Sequence, residues 1–165
     1  VNLKETIQPD IIQIKNNLRL KILQEGDYKL ALPWYHSEKV MYYSEGVKDK
    51  VYDIEQINCM YKYLSGIGEL YLIEILEKEE WKAIGDVTLS EENMPIVIGE
   101  EYWGFGIGKK VIKKLLERGK KIGLSRTKVK IYKYNDRSKN LFISLGFTKV
   151  SEDEKSYKFE YVFSS

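Results

Sequence analysis

The 165-residue chain has one cysteine, Cys59, and one histidine, His36. A single thiol makes no intrachain disulfide, and the pair supplies no zinc ligand set, so no metal is expected and a reducing, cytoplasmic setting follows. A charge excess is also missing: 27 Lys and Arg against 25 Asp and Glu leave +2, too weak a field for a dedicated nucleic-acid binder. No apolar run is long enough to span a bilayer, so no membrane partner is expected. The opening VNLKETIQPD has neither the apolar stretch of a signal peptide nor the basic, acid-poor character of a transit sequence. Repeats, low-complexity segments and linkers are lacking too, which points to one domain over 1–165, with 1–17 as an N-terminal extension or tail.

What is present is a globular composition, 43% hydrophobic and 32% charged, in a chain long enough to bury one core unaided. Leu18, Leu20 and Ile22 alternate with Arg19 and Lys21, which predicts the first strand. A helix beginning at Asp27 is expected to break at Pro33, leaving Trp34, Tyr35, His36, Tyr42 and Tyr43 in irregular or short helical structure. Ile54, Ile57, Tyr61 and Leu64 recur at helical spacing and stop at Gly66 and Gly68. Glu69 to Leu76 and Trp81 to Leu89 read as a hairpin around the charged EKEE, followed by a short strand from Met94 to Ile98. Ile107, Val111, Ile112, Leu115, Leu116 and Ile122 form one face of a helix ending at Gly123. A strand from Thr127 to Tyr134, a helix capped by Asn135 or Asp136, and strands at Thr148 to Val150 and Tyr157 to Phe163 complete the order.

Between a strand and a helix lies YWGFGIGKK, with Gly104, Gly106 and Gly108 at alternate positions before Lys109 and Lys110. Each glycine inside a helix costs about 1 kcal/mol relative to alanine, so this spacing serves the backbone rather than packing. The loop delivers the chain to a helix N-terminus, where unpaired N–H groups and the helix dipole attract anions. Lysines in the first turn oppose that dipole unless a polyanion sits there. The plain alternative is a glycine-rich turn under an ordinary basic helix face. A dinucleotide fingerprint would need glycine at Lys109, and a Walker loop would need glycine at Trp103 and Ser or Thr at Lys110.

These residues, followed by the basic helix, the strand KVKIYKYN and the segment NDRSKNLFISLGF, resemble the GCN5-related N-acetyltransferases. That family's loop reads Gln/Arg-x-x-Gly-x-Gly/Ala, matched here by Gly106 and Gly108, and its later segment reads Asn-x-x-Ala-x-x-Leu-Tyr-x-x-x-Gly-Phe. The resemblance runs from about Leu18 to the C-terminus and is most specific from Met94 to Val150. It implies an α/β (α+β) fold with a mixed, mostly antiparallel central sheet of six to seven strands flanked by about four helices. It also implies acetyl-CoA as co-substrate, held by Ile98, Trp103, Gly104, Phe105, Gly106, Ile107, Gly108 and Lys109, with Asn135 on the pantetheine arm and Phe142 beside it. Trp103 departs from Gln or Arg, although Tyr-Trp-Gly is similar to the ribosomal-protein and aminoglycoside branch. Phe142 stands where many members carry a tyrosine thought to protonate the departing sulfur.

The activity implied is transfer of an acetyl group to a primary amine by direct attack in a ternary complex. Glu100, at the end of the strand before the loop, is the first candidate base, and Asp86, a carboxylate inside an apolar strand, the second. Glu101 reads as solvent-facing. Tyr134, Tyr132 or water would replace the missing acid. Cys59 lies beside an apolar helical stripe and reads as a small buried hydrophobe, not a nucleophile served by His36. Trp34, Tyr35, Tyr43 and Glu45 fall where relatives bind acceptors, and aromatic faces with a carboxylate suit a cationic amine, although core packing explains them equally well. A small-molecule or peptide amine is the expected partner of a monomer or homodimer. Aminoglycoside, polyamine, amino acid and protein N-terminus all remain open, as does a non-catalytic CoA-binding sensor.

Overall fold

A computed structural model describes Leu3 and residues 6–164. The chain opens with a hairpin of β1 (Ile11–Lys15) and β2 (Leu18–Ile22), so the first strand lies earlier than Leu18, inside the stretch read as an extension. Consecutive Ile11 and Ile12 hide the alternation in the sequence, yet Ile12 and Ile14 pack against the core while Ile11 stays exposed. Next come a 3-10 turn, Glu25–Ala31, and the helices α1 (Leu32–Tyr35), α2 (Glu38–Glu45) and α3 (Ile54–Ile67). Pro33 starts α1 instead of breaking a helix, because it occupies the first turn, where no N–H is needed. Ser37 caps α2 and Asp53 caps α3 through side-chain oxygens.

Two long strands, β3 (Glu69–Glu77) and β4 (Glu80–Leu89), form the next hairpin, turning at Lys78 and Glu79, both at positive φ as a two-residue turn requires. Alternate residues of β3 enter different cores. Leu70 and Leu72 pack with Tyr35, Met41, Ile57 and Tyr61 on the side of α1 to α3. Tyr71 and Ile73 pack with Val111, Ile112 and Leu115 of α4 (Ile107–Ile122) on the other. A buried pair, Arg118 of α4 with Glu69 of β3 at 2.8 Å, also ties that helix to the sheet.

Strand β5 (Ile96–Ile98) pairs with β4, Asp86 opposite Val97. Gly85 allows the approach: a Cβ there would lie 2.1 Å from the Val97 carbonyl oxygen. The order β1-β2-β3-β4-β5 makes one sheet, and β6 (Arg126–Tyr132), β8 (Ser156–Val162) and β7 (Thr148–Glu152) make a second, ordered β6-β8-β7. The α/β architecture therefore distributes eight strands over two sheets, five and three, where a single sheet of six to seven was expected. All ladders among the described residues are antiparallel. At one end β6 meets the first sheet through the Met94 N–H on the Lys128 carbonyl at 2.8 Å and the Thr127 hydroxyl on the Ser90 carbonyl at 2.6 Å. Beyond that junction β5 and β6 form no ladder, and the gap between them holds the site.

Candidate active site

A cavity of about 620 Å³ opens between β5 and β6, walled by Ile96, Val97 and Ile98 on one side and Val129, Ile131 and Tyr132 on the other. One end reaches the glycine loop. Gly104 and Gly106 have φ of 85° and 74°, a region closed to most side chains, and a Cβ on either would meet nothing within 4 Å. Gly106 is also the N-cap of α4, where no side chain caps the helix and no acid stands in the first turn. Lys109 and Lys110 are exposed beside those N–H groups. An open backbone cradle, a helix dipole and two cations fit the pyrophosphate of CoA.

Asp86, 1% exposed, lines the same cavity. The hydroxyls of Tyr35 (α1) and Tyr61 (α3) each donate to its Oδ2 at 2.7 Å. Burial lifts the carboxyl from 3.8 to about 7, against the pull of the Tyr61 and Tyr35 hydroxyls and with a further push from Glu45. Burial likewise raises Tyr35 and Tyr61, so both remain hydroxyl donors. Glu45, at the end of α2, lines the same space and is raised by its own burial, with the Tyr52 hydroxyl 3.4 Å from Oε2. A carboxylate poised near neutrality, in a cavity shared with an anion cradle, is the arrangement of an acid–base site.

Residues 17–148 match the family described as acetyltransferase (GNAT) domain, which is most of the chain. The chain belongs to the GNAT acetyltransferase family. No curated protein sequence matches it. Among solved structures, it is similar to a GNAT-family acetyltransferase from Bacillus anthracis, with a TM-score of 0.75, 13% identity, and 92% of this chain and 98% of that one covered. It is also similar to a spermidine N-acetyltransferase from Vibrio cholerae in complex with CoA and spermine, with a TM-score of 0.72, 15% identity and coverage of 90% and 96%. A third likeness is to RimL, a ribosomal L7/L12 alpha-N-protein acetyltransferase bound to CoA, with a TM-score of 0.73, 15% identity and coverage of 93% and 98%. At such identities the likeness shows the GNAT fold.

Within this GNAT domain, the cavity brings together Tyr35, Tyr43, Glu45, Asp86, Ile98, Trp103, Gly104, Gly106, Ile107, Gly108, Lys109, Asn135 and Phe142. Four other candidates lie outside it. Glu100 and Glu101 are exposed on a 3-10 turn, Glu100–Tyr102, of which only Tyr102 lines the cavity. Trp34, on α1, is buried in the core, and Phe105 is 68% exposed in the glycine loop. Tyr134 turns its hydroxyl to the Tyr42 carbonyl and stacks on the Tyr42 ring at 4.2 Å, and burial pushes it up to about 12. Cys59 is exposed, not buried, because it stands two residues from both Ile57 and Tyr61 on α3, off their stripe.

Three side chains from the end of β6, the turn after it and the N-cap of α5 (Asp136–Ser144) reach the last carbonyls of α2. Tyr134 bonds Tyr42, the Asn135 amide nitrogen donates to Tyr43 at 3.4 Å, and the Tyr132 hydroxyl donates to Glu45 at 3.0 Å. Asn135 caps α5 as well, accepting from the Ser138 N–H at 3.2 Å. Trp103 donates its indole N–H to the Ile98 carbonyl at 2.7 Å, and the Arg137 guanidinium lies 3.9 Å over its ring. Phe142 is buried edge-to-face against Phe147. Tyr61, Tyr52 and Arg137 were not singled out as site residues from the sequence. Tyr61 sits in an apolar helical stripe, and only its hydroxyl marks it.

Proposed function

We propose that this chain is an acetyl-CoA-dependent N-acetyltransferase acting on a primary amine by direct attack in a ternary complex, with Asp86 as general base. The observation that carries the reading is a buried carboxylate lining the cavity that ends in the glycine cradle. Bound there, acetyl-CoA would supply an acyl thioester as acceptor of the amine's electron pair. The backbone N–H groups from Trp103 to Lys109 would hold its phosphates, and Asn135 and Ile98 its pantetheine arm. Asp86 takes the ammonium proton. An alkyl ammonium with a lysine-like pKa is only about one part in a thousand neutral at pH 7, a handicap of roughly 4 kcal/mol. A carboxyl titrating at about 7 narrows that gap by the same units through which burial has lifted it. Phe142 offers no proton, and Tyr132 and Tyr134 spend theirs on α2 carbonyls. A thiol resembling cysteine, with a pKa of about 8.5, leaves as thiolate without a protein acid.

Thiol release from acetyl-CoA against aminoglycosides, polyamines, amino acids and peptides, with calorimetric CoA binding, tests the reading. Turnover with one amine class, lost in Asp86→Asn, supports it. CoA binding with no turnover on any amine favours a sensor domain, and no CoA binding refutes both.

A further inference from the structure

Two carboxylates, Asp86 and Glu45, line the cavity, and neither forms an ion pair among the described residues. Both hydroxyls on Asp86 bond Oδ2, which leaves Oδ1 without a donor among the described residues on a side chain that is 1% exposed and lines the cavity. Glu45 has one hydroxyl at a long 3.4 Å and takes part in no ion pair among the described residues. Lys130 also lines the cavity and its charge pulls Glu45 down against the effect of burial, but it forms no ion pair with Glu45 among the described residues, its ammonium lying 5.3 Å over the Tyr132 ring. Two aromatic residues of the lining touch the acid-bearing residues: Tyr35 bonds Asp86, and Tyr132 bonds the Glu45 carbonyl. Two partly desolvated carboxylates with one ammonium nearby and no ion pair are costly in an empty cavity and stabilised by a bound cation, and aromatic faces add to that preference. A carboxylate-bearing acceptor, such as a free amino acid, would set like charge against both.

We infer that the acceptor is a dicationic aliphatic amine, its reacting nitrogen at Asp86 Oδ1 and its second ammonium held by Glu45. The identity of the reacting nitrogen rests on the transferase reading, whereas the charge preference is a property of the cavity. The test is calorimetric binding of 1,4-diaminobutane and of 1-aminobutane, each to the protein alone and to the protein saturated with CoA. The diamine should bind at least about tenfold more tightly than the monoamine, the size of one charge-assisted contact. Glu45→Gln, with its circular dichroism unchanged, should bring the two amines within about twofold. In turnover, the same preference should appear in KM and be abolished by the substitution. Equal affinities in the wild type, a preference that survives Glu45→Gln, or no diamine binding at millimolar concentration would overturn the inference. Loss of CoA binding alone would overturn the transferase reading, and the arm without CoA would still decide this one.

Discussion

Replacing Asp86 with Asn should stabilise the protein in a pH-dependent way while removing its activity. Burial lifts this carboxyl from 3.8 to about 7. At about 1.4 kcal/mol per pKa unit, keeping it ionised costs the folded state about 4 kcal/mol above neutrality. Because the folded value lies above the unfolded one, stability from this group is complete below about pH 4 and is lost as pH rises toward 7. Asparagine never ionises, and its amide oxygen accepts the two tyrosine hydroxyls that now meet Oδ2 at 2.7 Å. Urea unfolding of both proteins without CoA, at about pH 5 and about pH 8, isolates the effect, since pH-independent consequences of the substitution cancel between the two conditions. The stability of Asp86→Asn relative to wild type should be more favourable by about 2 to 3 kcal/mol at the higher pH, while kcat falls at least about a hundredfold. A difference that is the same at both pH values would refute the assignment of a buried, titrating Asp86.

Tyr61→Phe removes one of the two donors that hold Asp86 down, so the carboxyl rises and the acidic limb of kcat/KM should move to higher pH; an unmoved limb would mean the hydroxyl does not tune the base. Gly106→Ala meets no atom but must adopt φ near 74°, a strain of about 1 to 2 kcal/mol, and its methyl enters the cradle. CoA affinity by calorimetry should fall about tenfold, and unchanged affinity in a folded variant would separate the loop from CoA. Tyr134→Phe should leave kcat within about threefold, because that hydroxyl serves the Tyr42 carbonyl; a loss of about a hundredfold would make it the acid after all.

Local pattern carried much of the architecture. Helix α4 was visible from Val111, Ile112, Leu115 and Leu116, and Gly123 was placed to end it. Asp86 stood out as a carboxylate where β4 wants apolar side chains. What escaped depended on partners distant in sequence. Periodicity assigns Tyr61 to the core of α3, and it is fully buried, yet its function lies in a hydroxyl that meets a strand 25 residues away. Glu100 falls on a short 3-10 turn outside the cavity lining, a change of direction too brief for any period to register. Trp34 and Tyr35 are neighbours of the same chemical kind, both packed in one core, and only the packing of α1 decides that Tyr35 also lines the cavity.

The attachment of α2 has a consequence for how this protein diversifies. Its end is held through the main-chain oxygens of Tyr42, Tyr43 and Glu45, and the donors all belong to the end of β6, the turn after it and the α5 cap. A main-chain acceptor survives almost any side-chain replacement. On the proposed reading, in which Glu45 meets the acceptor, substrate preference on this segment is therefore free to drift by point substitution, with the anchoring bonds unaltered. Variation should be tolerated at positions 43 and 45 far better than at Tyr132 and Asn135, and libraries intended to retarget the enzyme belong on the helix, with its anchors left alone.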